Sequence, residues 1–103
     1  MYCYVWSFTV RPEYVDEFQV AYGPTGDWAR FFASDPGYIR TSLLADRQNP
    51  TRFLTLDFWS SYEACVSFRE RFSSQFEALD KSFERFTTEE VQFGSFHVLG
   101  EKS

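Results

Sequence analysis

From Cys65 onward, Cys65, Phe68, Phe72, Phe76, Leu79, Phe83 and Phe86 recur at intervals of 3, 4, 4, 3, 4 and 3 residues. This spacing places all of them on one helical face. So long an apolar stripe has to lie on an equally long apolar surface, and the rest of the chain must supply it. Ser60 with Glu63 forms a capping-box pattern at the start of the stripe, and Ser73-Ser74 with Glu77 repeats it halfway, which predicts a kink or break there. The stripe reads as core, not as a cofactor-binding device.

The surface to cover is a sheet. Residues 2–10 alternate, with Tyr2, Tyr4, Trp6, Phe8 and Val10 on one face and Cys3, Val5, Ser7 and Thr9 on the other, which is the period of a strand. Arg11-Pro12-Glu13 then changes the period, and Tyr14, Val15, Phe18 and Tyr22 follow at helical spacing. Gly23-Pro24-Thr25-Gly26 ends that helix, and Asp27 is placed to cap a second piece over 28–34 with Phe31 and Phe32 turned inward. Residues 38–45 and 52–59 read as two strands joined by a hairpin connection at 46–50. Residues 88–99 close the fold as a fourth strand, with Gly94 at a bulge, ahead of the tail Gly100-Glu101-Lys102-Ser103.

The order β, α, β, β, α, β predicts an α+β, ferredoxin-like unit: a four-stranded antiparallel sheet with helices on one face. The third strand is apolar on both sides, Leu54, Leu56 and Phe58 opposing Phe53 and Trp59. The face without helices therefore needs a cover, and a second copy of the chain, sheet on sheet, supplies it most simply. At 103 residues the chain is expected to be one domain over 1–103.

Twenty-one per cent of the residues are aromatic, among them thirteen Phe. A ring buries ~150–250 Å², so a core this small leaves some rings to line a cavity or an interface. Fifteen acidic residues against ten basic give a net charge of −5, which opposes nucleic-acid and anionic-membrane partners. Cys3 and Cys65 lie far apart in no metal or redox spacing, as expected of buried thiols in a reducing compartment. With no basic leader and no run of ~20 apolar residues, the expected location is the cytoplasm.

Two stretches carry a family resemblance. One is Tyr22-Gly23-Pro24-x-Gly26-Asp27-Trp28-Ala29; the other runs from Pro36-Gly37-Tyr38 through Thr41-x-Leu43-Leu44 to Leu54-Thr55-Leu56-Asp57-Phe58-Trp59-x-Ser61. Together they resemble the antibiotic biosynthesis monooxygenase family, a branch of the dimeric α/β-barrel superfamily. The resemblance implies a homodimer whose sheets form a barrel, with a ligand cleft between sheet and helices. It also implies a choice of activities: cofactor-independent oxidation of polycyclic aromatic polyketides, haem degradation, isomerisation, or none assigned. The family's Trp near the end of the third strand matches Trp59. The haem-degrading branch has an Asn on the first strand and a His ten positions after that Trp; here the first strand has no Asn and the tenth position is Arg69. Haem degradation is thus not expected, and neither haem, flavin nor metal is expected as a cofactor.

Few polar side chains are placed to do chemistry. His97 is the sole histidine and a candidate proton shuttle. Asp57 shares the Trp59 face in mid-strand, where a carboxylate is costly unless paired. It is expected either to pair with Arg40 or Arg69, the preferred account, or to act as a general base with a perturbed pKa. Trp59, Trp28 and Tyr22, with Arg69 nearby, are candidate binding residues for a planar ligand. No metal-ligand spacing, glycine-rich phosphate loop or nucleophile motif is present. Two functions fit: a cofactor-independent oxygenase or related isomerase acting on a small aromatic or polyketide-like substrate, and a non-catalytic dimer that binds a small hydrophobic molecule or serves regulation.

Overall fold

A computed structural model describes residues 1–100; 101–103, the rest of the expected tail, lie outside the described residues. The strands are β1 (Tyr2–Val10), β2 (Tyr38–Ala45), β3 (Arg52–Trp59) and β4 (Thr87–His97). They form one antiparallel sheet in the order β2-β3-β1-β4, the ferredoxin-like arrangement. The first crossover holds α1 (Val15–Tyr22) and α2 (Asp27–Phe32); the second holds α3 (Tyr62–Arg71) and α4 (Ser73–Phe83).

The alternation in β1 decides how the layers stack. Tyr2, Phe8 and Val10 join Phe18, Trp28, Phe32, Phe53, Trp59 and Phe68 in one core between sheet and helices. Cys3 and Val5 turn the other way and, with Phe58, make a thin second cluster on the helix-free face. The stripe behaves as expected: Cys65, Phe68 and Phe86 are buried, while Phe72, Phe76, Leu79 and Phe83 pack against the core from its edge. It breaks at Phe72, whose φ of −117° and ψ of 31° lie outside the helical range.

Local details differ from expectation by a residue here and there. Ser61, not Ser60, caps α3, its Oγ accepting from the Ala64 N–H at 3.1 Å. With Ser61 as the cap, Ala64 takes the position that Glu63 would need to close the box. No side chain caps α4, so the break at Phe72 replaces the second capping box. Asp27 is the first residue of α2 rather than its cap, and it pairs with Arg30 at 3.5 Å. Gly26 takes the cap position because the backbone folds back on α1: a Cβ there would lie 2.2 Å from the Val20 carbonyl oxygen. In β4 the register slips between the Val5–Gly94 and Trp6–Gln92 pairs, so the bulge falls at Phe93, next to the glycine.

Candidate functional site

Along β3, the period of two turns Phe53, Thr55, Asp57 and Trp59 toward the helices. Between them and the helices lies a cavity of about 240 Å³. The sheet side of its wall includes Tyr4, Trp6, Thr55 and Asp57; the helices supply Tyr22, Trp28, Arg69 and Phe76. A volume of roughly 150 Å³ suffices to hold benzene, so the aromatic side chains do not fill the space they enclose.

The structure brings Asp57, Trp59, Trp28, Tyr22 and Arg69 to this one cavity. It leaves His97 out. His97 sits at the end of β4, opposite Tyr2 in the register, exposed, with its ring 6.4 Å from the Tyr2 ring. A solitary histidine recommends itself by pKa alone, and here the strand carries it past the end of the cavity.

Asp57 also departs from the preferred expectation, because no arginine pairs with it among the described residues. Arg40 is on the wrong face: the register shift between Tyr38 and Arg40 turns it outward, where its guanidinium lies 3.9 Å from the centre of the Phe58 ring. Arg69 enters the cavity, yet its Nη1 donates to the Tyr4 hydroxyl at 3.0 Å and its guanidinium lies over Phe76. The partner of Asp57 is Thr41, directly across from it on β2, whose buried hydroxyl donates to Oδ1 at 2.7 Å. Thr41 Oγ1 lies in turn 2.6 Å from the Tyr38 hydroxyl. Threonine has one hydroxyl proton, so when that proton goes to Asp57 the Tyr38 phenol must be the donor to Thr41. Two hydroxyls thus point in series at one carboxylate oxygen.

Burial pushes the Asp57 carboxyl up to about 6, and the Thr41 hydrogen bond only partly opposes it. At neutral pH the group is ionised but basic enough to take a proton from an acidic ligand. Cys65 lines the same cavity, and burial raises its thiol to about 11, so it remains a protonated, weakly reactive thiol. Asp57 and Arg69 are not the only charged residues here. Asp80 of α4 and Glu90 of β4 also line the cavity, and burial raises both carboxyls. Neither stands in a motif that singles it out in the sequence. Thr41 lies on the strand paired with β3, but its place opposite Asp57 depends on the register of the hairpin, which the sequence does not show. Among the described residues, no group of three or more His, Cys, Asp or Glu side chains is placed to hold a metal ion, and no helix is long and apolar enough to cross a membrane.

A sequence model of the antibiotic biosynthesis monooxygenases matches residues 1–78. The chain belongs to that family. Solved structures extend the likeness through β4. The cofactor-independent oxygenase SnoaB from Streptomyces nogalater shares 26% identity at a TM-score of 0.68, over 97% of each chain. A proposed antibiotic biosynthesis monooxygenase from Bordetella bronchiseptica superimposes at 0.73 with 19% identity, over 95% of this chain and 96% of its own. Another, from Nitrosomonas europaea, gives 0.66 with 16% identity, over 96% and 99%. These last two likenesses are of fold. Among curated protein sequences, none matches. In this member of the antibiotic biosynthesis monooxygenase family, the cavity between sheet and helices carries a carboxylate, Asp57, in its wall.

Proposed function

We propose that this protein is a cofactor-independent monooxygenase that oxidises an acidic aromatic compound, phenolic or anthrone-like, with dioxygen. The observation that carries the reading is Asp57, a carboxylate with no cationic partner among the described residues, held by a threonine in the wall of an aromatic cavity. Its pKa of about 6 suits a general base at neutral pH. The likeness to a cofactor-independent oxygenase supports it as well.

In this scheme Asp57 removes the acidic proton of the substrate. The resulting anion lies beside Arg69, which has no carboxylate within 4.0 Å among the described residues and so keeps its charge for the ligand. The anion gives one electron to dioxygen, and the radical pair joins as a carbon–oxygen bond. The peroxide anion takes back the proton held by Asp57, and the hydroperoxide then loses water, its O–O bond breaking as the remaining C–H proton leaves; one oxygen atom stays with the product as a ring carbonyl and the other departs in the water, with Asp57 ionised again. Trp59 and Trp28 hold the ring plane, and the apolar wall keeps bulk water from the anion.

The decisive assay is oxygen uptake with anthrone, followed together with quinone absorbance. The wild type should consume one dioxygen per quinone formed, and Asp57→Asn should be slower by about 10²-fold or more. Tight binding without oxygen uptake would instead favour a non-catalytic binding protein. The reading includes a homodimer closed through the helix-free sheet face, where Leu44, Val91 and Phe96 are exposed beside Val5 and Leu56. It also places the protein in the cytoplasm, in keeping with its two free, buried cysteines.

A further inference from the structure

The two halves of the second crossover are anchored unequally. α3 buries Cys65 and Phe68, whereas α4 buries none of its residues. The break at Phe72 lies between them, and a short 3-10 turn, Glu84–Phe86, joins α4 to β4. α4 nevertheless forms one wall of the cavity, through Phe76 and Asp80. Phe76 is the hold at its middle: its ring centre lies 4.9 Å from that of Trp28 and 4.8 Å from the Arg69 guanidinium. Of the described side chains in the cavity wall, only Asp80 of α4 and Glu90 of β4 are exposed, so the mouth lies between these two elements.

We propose that α4 is the gate of this cavity: it swings about Phe72 to admit the ligand between itself and β4, and repulsion among Asp80, Glu84 and Glu90 sets how readily it opens. The inference rests on the cavity being the ligand site, not on the reaction performed there. Local opening is cheapest where little apolar surface is buried, which is the condition of α4 and not of α3. The lips of the mouth carry like charge. Burial first, and then Glu84, raises the Asp80 carboxyl; burial, Asp80 and Glu84 raise that of Glu90, against a hydrogen bond from the Thr87 hydroxyl at 3.3 Å. From α1 the group facing them is the Tyr22 phenol, which burial keeps neutral. Lys81 and Arg85 lie on the same segment, yet neither forms an ion pair with these carboxylates among the described residues. The Arg85 guanidinium instead lies over Phe86. Opening separates and hydrates the carboxyls, returning them to their ordinary range. The closed form therefore holds its protons more tightly than the open one. Closure is favoured at low pH and weakens as pH rises through the raised values.

Native-state hydrogen exchange of the intact chain tests this without turnover. Corrected for intrinsic exchange, the amides of residues 76–83 should open at least about tenfold more readily than those of residues 65–69 in α3. That opening should grow about threefold or more between pH ~5 and ~8 in the wild type, and stay level in the double variant Asp80→Asn, Glu90→Gln. Naphthalene, which has no acidic proton to lose, should slow the exchange of α4 when it fills the cavity and leave that of α3 unchanged. Exchange of α4 in step with α3 would overturn the gate, as would an α4 indifferent to saturating naphthalene. A wild-type opening that does not change with pH would overturn the role of the carboxylates, and that reading needs no variant. The oxygenase proposal stands or falls separately, since none of these measurements involves Asp57 or dioxygen.

Discussion

The two faces of the sheet are built from the same strands and serve opposite ends. Toward the helices, β1 and β3 present large rings with a threonine and a carboxylate among them, and the layers meet imperfectly, leaving a cavity. Away from the helices they present Cys3, Val5, Leu56 and Phe58, a thinner apolar cluster with the Arg40 guanidinium laid over Phe58. Aromatic side chains are rigid and bulky, so rings packed edge to face leave gaps that branched aliphatic chains would close. The helix face thus gains a chamber at some expense of packing. The outer face exposes Leu44, Val91 and Phe96, and it is the face the proposed dimer would close. A single residue step along β3, from Asp57 to Phe58, separates the two roles.

The largest effect should come from putting charge on the outer face. Leu56 lies across from Val5 on one side and Ser42 on the other, in mid-sheet. Leu56→Asp should weaken the dimer by roughly 3–5 kcal/mol, because an unpaired carboxylate would be buried in the contact. Light scattering at micromolar concentration should then find a monomer where the wild type is a dimer. A wild-type monomer would remove the role assigned to this face.

Removing charge from the inner face should do the reverse. Since the Asp57 pKa is raised to about 6 in the folded protein, the fold keeps this proton where the unfolded chain, near ~3.9, has lost it. The carboxyl's penalty is therefore absent at low pH and grows as pH rises through about 6, reaching up to about 3 kcal/mol above neutrality. Asp57→Asn should abolish that slope and raise stability at pH ~8 by a comparable amount, while suppressing oxidation. Urea unfolding of both proteins at acidic and mildly alkaline pH checks the sign.

A smaller change should follow from the hydroxyl chain. Thr41→Val keeps the shape of the side chain but removes the hydrogen bond that favours the ionised carboxylate. The Asp57 midpoint should rise by about one pH unit, Thr41→Ser should restore it, and Tyr38→Phe should move it upward by less. A carboxyl-carbon NMR titration of the three variants would measure this. Identical midpoints would mean that the chain from Tyr38 does not act on Asp57.

Periodicity made the architecture legible. Alternation located β1, β2 and β3 to the residue, and the stripe located α3 and α4 and their break. The site was legible where a single strand sufficed, since Asp57 and Trp59 share a face by parity alone. Where two strands had to be brought into register, the sequence was mute. The Thr41–Asp57 pair depends on how the hairpin aligns β2 with β3, and the outward turn of Arg40 depends on an irregularity at Ile39 that no residue type signals. Asp80 and Glu90 reach the cavity from separate elements, α4 and β4, so their convergence is wholly tertiary. Trp59 proves to be core as well as wall. It is 1% exposed, packed edge-on by Phe32 and Tyr38 and at a tilt by Phe68, so its replacement disturbs stability and binding together.

The most direct test of Asp57 as the base is its own titration in the wild-type protein, followed by the NMR signal of its carboxyl carbon from pH ~3 to ~8. A buried carboxylate with only a threonine for a partner should titrate near 6, and the rate of anthrone oxidation should rise with pH through the same midpoint. A midpoint near ~4, the value of an ordinary solvated aspartate, would contradict the account: Asp57 would then be too weak a base to start the reaction, and the inner face would hold a binding cavity without a catalytic group.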